Sequence, residues 1–252
     1  ILGGQWAYEE LGWGGFWAWD PVENAALMPW LTGTAFLHSV MIQEKRNMLK
    51  IWNVVLIILT FGLTIVGTFL TRSGIINSVH AFTQSEIGPA FLIFLAFILV
   101  IGFALLFKRI QMLESEHKIE SVLCRENAFL AQNVLLVGIS FTVLLGTTFP
   151  LLAEAVRGTK LSIQAPFFNT IIAPMGYLLL LLMGIGTLIA WRKSSWEGLR
   201  RNFKNPLILA TAGTVFLAWF LSGKNLSWSV HTIFWLTIFV TSTIVLEIVK
   251  AV

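Results

Sequence analysis

Two histidines and a run of tryptophans are the residues of this chain best suited to chemistry. His38 lies in the apolar stretch LTGTAFLHSVMIQ, and His80 lies in TRSGIINSVHAF. An ionisable side chain within an apolar run of membrane length is costly to keep there, so His38 is a functional candidate by default. Its bland alternative is an interhelical hydrogen bond, through Ser39 or a backbone carbonyl. His80 follows a long apolar run by about ten residues, where a neutral imidazole is hydrated and available to a metal. A loop histidine alone usually has no such role. His117, in a charged stretch, and His231, at the start of another apolar run, read as ordinary histidines. The tryptophans crowd into GWGGFWAWDPVENAALMPWL, residues 12–31, where Trp13, Trp17, Trp19, Trp30 and Phe16 are interleaved with Gly12, Gly14 and Gly15. One such Trp is most simply part of the aromatic belt at a membrane interface. The density, and the glycines that let a backbone turn tightly beside a flat ligand, suit a stacking platform for a large planar π-system. Such a platform with neutral imidazoles nearby, and no carboxylate or thiolate cluster, points to heme, whose iron takes axial histidine.

The platform leads into a helix start. Asp20 can cap it, Pro21 suits the first helical position, and Glu23 stands three residues after Asp20 as a capping box requires. For Asp20 and Glu23 this structural role stands at least level with any catalytic one.

The elements that must position these residues are membrane helices. Of 252 residues, 56% are hydrophobic and only 12% charged, where a soluble domain carries about 25% charged residues. Mean hydropathy is +0.80, and the chain reads as an integral membrane protein. Seven apolar runs approach the roughly 20 residues that cross a bilayer. They are Pro21 to Gln43, Ile51 to Leu70, Pro89 to Phe107, Ala128 to Ala153, Phe167 to Trp191, Pro206 to Leu221 and Val230 to Leu246. The sixth is short, and Pro29 interrupts the first. Runs this long are not barrel strands, and a lipid-exposed backbone must satisfy its own hydrogen bonds, so the expected fold is all-α. One membrane domain, 1–252, is the simplest organisation: a Trp-rich segment over 1–30, three spans within 21–107 carrying His38 and His80, and four spans over 128–252. Gly62 and Gly67 of the second span offer close packing beside His38. The stretch Lys108 to Glu126 mixes both charges and reads as a short surface helix.

Charge sets orientation. Lys45, Arg46, Lys50, Lys108, Arg109, Lys118, Arg125, Arg192, Lys193, Arg200, Arg201, Lys204 and Lys250 fall on one side, while Arg72, Arg157, Lys160 and Lys224 fall on the other. Positive loops stay in the cytoplasm, which puts the Trp-rich segment outside, in the periplasm if the membrane is a bacterial inner membrane. The formal charge of +4 reflects that anchoring rather than affinity for nucleic acid. The single cysteine, Cys124, excludes an internal disulfide, a CxxC redox pair and a heme-attachment CxxCH within this sequence. An opening of ILGGQWAYEE, without an initiator or a basic leader, suggests a piece of something longer.

GWGGFWAWDPVENA resembles the tryptophan-rich WWD signature of heme-handling proteins, and in its PVENA form it resembles the CcmF family of cytochrome c-type biogenesis proteins. GTAFLHS, GTFLTRSGIINSVHAF, LLGTTFPLL and GTKLSIQAPFFNTIIAPMG continue the likeness in the same order, over about residues 6 to 192. The resemblance implies a heme lyase component. His38 would be the first transmembrane histidine, an axial ligand of a resident heme b. His80 would help hold the substrate heme, with Trp13, Trp17, Trp19 and Asp20 in the segment against which that heme is presented. Arg72, Arg157 and Lys160 are the outer-face cations best placed to meet its propionates, although a solvated loop charge is the plainer role of each. The implied partners are a periplasmic heme chaperone, an apocytochrome c whose CxxCH thiols receive the heme, and other maturation subunits, with quinol as the implied reductant. The family's second ligand for each heme has no matching position here, so the sequence looks like the middle of such a protein. Two other readings stand beside it. One is a heme exporter or heme-loading protein of the shorter WWD type. The other is a membrane transporter unrelated to heme.

Overall fold

The computed structural model describes residues 2–10, 17–73, 87–115, 121, 123–158, 161, 163–191 and 194–251. Its regular structure among these residues is helical. A short helix α1 (Leu2–Glu10) precedes seven long ones: α2 (Pro21–Arg46), α3 (Lys50–Arg72), α4 (Gly88–Lys108), α5 (Arg125–Arg157), α6 (Ala165–Leu188), α7 (Trp196–Phe220) and α8 (Trp228–Ala251). The seven are long and apolar enough to cross a membrane.

Each long helix sits where the hydropathy pattern places a span, and the ends show why hydropathy alone misjudges some of them. The sixth span begins ten residues earlier than its apolar run. Ser195 caps α7 by accepting from the Gly198 N–H at 3.2 Å, and the first turns carry Arg200, Arg201 and Lys204. Those long side chains can keep their charges in water while their stems cover apolar surface, so a charged turn still belongs to the helix. Pro206 lies inside α7 rather than opening it. The expected surface helix between Lys108 and Glu126 is, among the described residues, a single 3-10 turn over Ile110–Leu113.

α2 is the central helix. Its buried stripe of Asn24, Met28, Leu31, Ala35, Ser39, Ile42 and Arg46 repeats every three or four residues, the period of one helical face. Pro29 does not break it; the helix runs on through Pro29 to Arg46. A proline cannot donate to the carbonyl four residues back, and here that carbonyl, on Ala25, lies against Gly67 of α3. A methyl group on Gly67 would sit 3.3 Å from that oxygen. Gly62 instead faces Leu95 and Leu99 of α4. The α3 glycines therefore accommodate the start of α2 and α4, and the neighbour of His38 is a different helix, α5.

α2 packs between α3 and α5, and the order outward from it is α3 then α4 on one side, and α5, α6, α8 then α7 on the other. Met28, Leu31 and Ala35 of α2 form one apolar core with Leu56 of α3 and Leu136, Ile139 and Val143 of α5. Leu188, Ala210 and Phe239 form a second, joining α6, α7 and α8. Both bury their side chains between helices that otherwise face lipid.

Candidate functional site

Two places in the bundle hold sequence-predicted residues, one at the N-terminal end of α2 and one along its middle. At the N-terminal end the helix is capped as its sequence anticipates. Asp20 accepts from the Val22 N–H at 3.0 Å, and Glu23 reaches back to accept from the N–H groups of Asp20 at 3.2 Å and Ala18 at 3.0 Å. The Asp20 carboxylate is thus engaged in structure. Trp19 precedes it with φ of 57°, a left-handed conformation uncommon for a bulky residue. Three contacts hold it there. Its carbonyl accepts from the Asn24 amide at 3.1 Å, its indole N–H donates to Asn169 Oδ1 at 2.8 Å, and its ring stacks on Phe168 with centroids 4.9 Å apart. Trp17 and Trp19 meet in a T-shaped contact, with ring centroids 5.7 Å apart and planes at 90°, and Trp17 stays exposed. α6 therefore fixes the tryptophan segment through Phe168 and Asn169, two residues that sequence reasoning did not single out and that no local pattern connects to Trp19.

Farther along α2, beside its middle turns, lies a cavity of about 390 Å³ between α2, α5, α6 and α8. Trp30, Thr34 and His38 form its α2 wall; at intervals of four residues they share one helical face. Gln132, Leu136, Leu179, Met183 and Ile244 supply much of the rest. His38 stacks on Phe129 of α5 with centroids 5.4 Å apart and planes 10° from parallel. Its Nδ1 is buried and has no hydrogen-bond partner, and the same holds for Oε1 of Gln132. The interhelical hydrogen bond that would make His38 a purely structural residue is not the arrangement at Nδ1. Trp30, grouped with the platform by sequence, instead lines this cavity. The Arg125 guanidinium, also on the lining, donates to the carbonyls of Thr187 at 2.7 Å and Ile189 at 3.0 Å. It closes the C-terminal end of α6, where a cation also suits the helix dipole.

The two places are well separated. His38 stands eighteen residues along α2 from Asp20, roughly 27 Å at about 1.5 Å per residue, and the continuous helix keeps them apart. Arg72 ends α3 and Arg157 ends α5, and Arg157 is exposed. Trp13, His80 and Lys160 lie outside the described residues, so their expected places in the site are not addressed by the structure. Among the described residues no three His, Cys, Asp or Glu side chains converge as a metal site. An imidazole with a buried free nitrogen beside an apolar, aromatic-walled cavity has the chemistry to hold a flat apolar group through one axial nitrogen, and the residues present fit heme in that respect.

Comparison with known proteins bears on what that group is. A family model described as cytochrome C assembly protein matches residues 1–76. The chain is 43% identical over 217 residues to the cytochrome c-type biogenesis protein CycK of Bradyrhizobium diazoefficiens, covering 86% of this chain and 32% of that protein. It is 42% identical over 236 residues to the cytochrome c-type biogenesis protein CcmF of Escherichia coli, covering 91% of this chain and 36% of that one. A solved structure named cytochrome c heme lyase CcmF superposes on it with a TM-score of 0.76 at 36% identity, covering 100% of this chain and 37% of that one. The chain belongs to the CcmF family. It spans about a third of the length of the curated relatives it matches. As a CcmF-family chain it combines an all-α, multi-pass membrane bundle with the Trp segment and His38, both within residues 1–76.

Proposed function

We propose that this chain is the part of a heme lyase that holds heme during attachment to an apocytochrome c. The observation that carries the reading is the buried, unpartnered Nδ1 of His38 beside the cavity walled by Trp30 and Phe129, in a chain of the CcmF family. His38 would ligate a resident heme b there. Heme supplies, when bound, an iron that takes the imidazole and vinyl groups to which cysteine thiols add. The protein's own part is to orient and to exclude water. Phe129 holds the imidazole plane by stacking, and the apolar lining excludes solvent from the rest of the cavity.

The Trp segment would serve the substrate heme at the N-terminal end of α2. Trp13, Trp17 and Trp19 would offer rings and His80 an axial nitrogen, with Arg72, Arg157 and Lys160 as propionate partners. Trp19 has one face covered by Phe168 and packs against the core of α2 and α5, so exposed Trp17 would be the ring offered for stacking. Positive-inside anchoring supports a bacterial inner membrane with this end in the periplasm and the Arg46 end in the cytoplasm. A heme chaperone and an apocytochrome c would then dock from the periplasm, beside other maturation subunits in the membrane. Quinol enters through the family resemblance alone. The match to relatives extends over nine-tenths of the chain, well beyond the Trp segment, which favours a lyase over an exporter of the shorter WWD type or a transporter unrelated to heme.

The test is spectroscopic. Membranes containing the protein should show a b-type α-band in the reduced-minus-oxidised spectrum, and His38→Ala should remove at least four-fifths of the b heme measured as pyridine hemochrome. Unchanged heme content in that variant would sink the assignment.

A further inference from the structure

Gln132 of α5 shares two features with His38. It lines the same cavity, and its Oε1 is buried without a hydrogen-bond partner, as Nδ1 of His38 is. The residue as a whole is 2% exposed. Buried polar atoms in native proteins are nearly always hydrogen-bonded, so two orphans on one cavity wall call for a common explanation.

The helices aim the two side chains toward one another. His38 stacks on Phe129, and Ser140 donates to the Met28 carbonyl, so α2 and α5 run antiparallel. A step from Phe129 to Gln132 therefore moves back along α2 by three residues, about 4.5 Å at the helical rise, to the turn between Thr34 and His38. Phe129, Gln132 and Leu136 all belong to the cavity wall, at the spacing of one helical face. Helical side chains lean toward the N-terminus of their own helix. His38 accordingly leans toward the level of Gln132, and Gln132 toward the level of His38.

The chemistry of the two groups is complementary. A neutral imidazole has one N–H and one lone pair, so a ring nitrogen that takes iron leaves the other as a donor in need of an acceptor. The carboxamide oxygen of Gln132 is an acceptor not yet engaged. The Arg125 guanidinium, on the same wall, can only donate. The Thr34 hydroxyl is the rival: it donates to the Trp30 carbonyl at 2.8 Å and keeps its own lone pairs.

We propose that Gln132 is a positioning residue for His38, its carboxamide oxygen accepting the imidazole N–H while the other ring nitrogen holds iron. The role rests on the heme reading. Gln132 touches no iron. It fixes the tautomer of the ring, as Phe129 fixes its plane, and makes the imidazole a more electron-rich ligand, which favours ferric over ferrous heme.

The reduction potential of the b heme reads that effect independently of lyase activity. In the full chain, Gln132→Leu and, as a second variant with a shorter reach, Gln132→Asn should each shift the ferric–ferrous equilibrium at least threefold toward ferrous. That is a rise of about 28 mV at 59 mV per tenfold for one electron. Gln132→Glu keeps an acceptor oxygen at the same reach and should stay at or below the parent potential. Thr34→Val should cause a smaller shift than Gln132→Leu. Parent-like potentials in both the Leu and Asn variants, an equal rise in Gln132→Glu, or a larger shift in Thr34→Val than in Gln132→Leu would overturn the proposal. Absence of b heme from the parent, or its retention in His38→Ala, would remove the heme reading and this role with it, so the two failures are told apart.

Discussion

Trp19 is held in a conformation that an L-residue adopts at a cost of about 1–2 kcal/mol. The Asn169 hydrogen bond, the Phe168 stack and the Asn24 contact to its carbonyl must offset that cost for the segment to stay in place. Of these, the indole hydrogen bond is the cleanest to remove. Trp19→Phe deletes the donor and Asn169→Ala the acceptor, and a net hydrogen bond is worth about 1 kcal/mol. Each single variant should lower stability by about that much in detergent unfolding, and the double variant should cost about 1 kcal/mol less than the two losses added together. Full additivity would mean that the two side chains do not act as a pair. The Asp20–Glu23 capping box was legible in the sequence because every member lies within four residues. The partners of Trp19 were not, because Asn169 stands 150 residues away and only the packing of α6 against α5 brings it near. His38 shows the same boundary: its apolar setting flags it, whereas the choice between Phe129 and a glycine-lined α3 neighbour depends on the order of helices.

That order is set by how closely helices approach, and the α5–α6 contact bears directly on the tryptophan segment. Gly146 of α5 faces Phe168; a methyl group there would lie 2.5 Å from Cε1 and 2.6 Å from Cζ of that ring. Phe168 is 1% exposed and cannot swing aside into open space, and it carries Trp19 on its face. Gly146→Ala should therefore separate α5 from α6 and displace Trp19, at about 1–3 kcal/mol for an overpacked contact. The expected readouts are a lower unfolding midpoint and a red shift in tryptophan emission, both partly restored by Phe168→Leu in the same chain. No change in either would mean that the ring relocates freely. Gly184 of α6 makes a similar approach to Phe239 of α8, so α6 depends on absent side chains on both flanks. The sequence revealed the spans themselves, since a bilayer demands long apolar helices. It did not reveal α1, whose apolar content is too slight and too short to stand out, or the charged first turns of α7.

At the scale of the whole molecule, alternating helices carry the positive charges to opposite ends. Among the described residues Lys45, Arg46, Lys50, Lys108, Arg109, Arg125, Arg200, Arg201, Lys204 and Lys250 lie at or near the α2 C-terminal end of the bundle, while Arg72, Arg157 and Lys224 lie toward the Trp segment. Some of the first group are also tied into the fold. Arg46 pairs with Glu126, and Lys45 lies 4.5 Å from the Trp191 ring centroid. They are fixed where the helices end, so an inverted chain would have to carry them across the bilayer, at about 2.5–3.5 kcal/mol per charge at a helix centre on insertion scales. The Arg46 end should accordingly face the cytoplasm and the Trp segment the periplasm. Alkaline phosphatase, active only after export, should be inactive when fused after Lys50 and active when fused after Gly158, the residue that closes α5 in a left-handed turn. High activity at Lys50 would invert the bundle, moving the His38 cavity to the periplasmic half of the membrane and the tryptophan segment away from any protein arriving from outside.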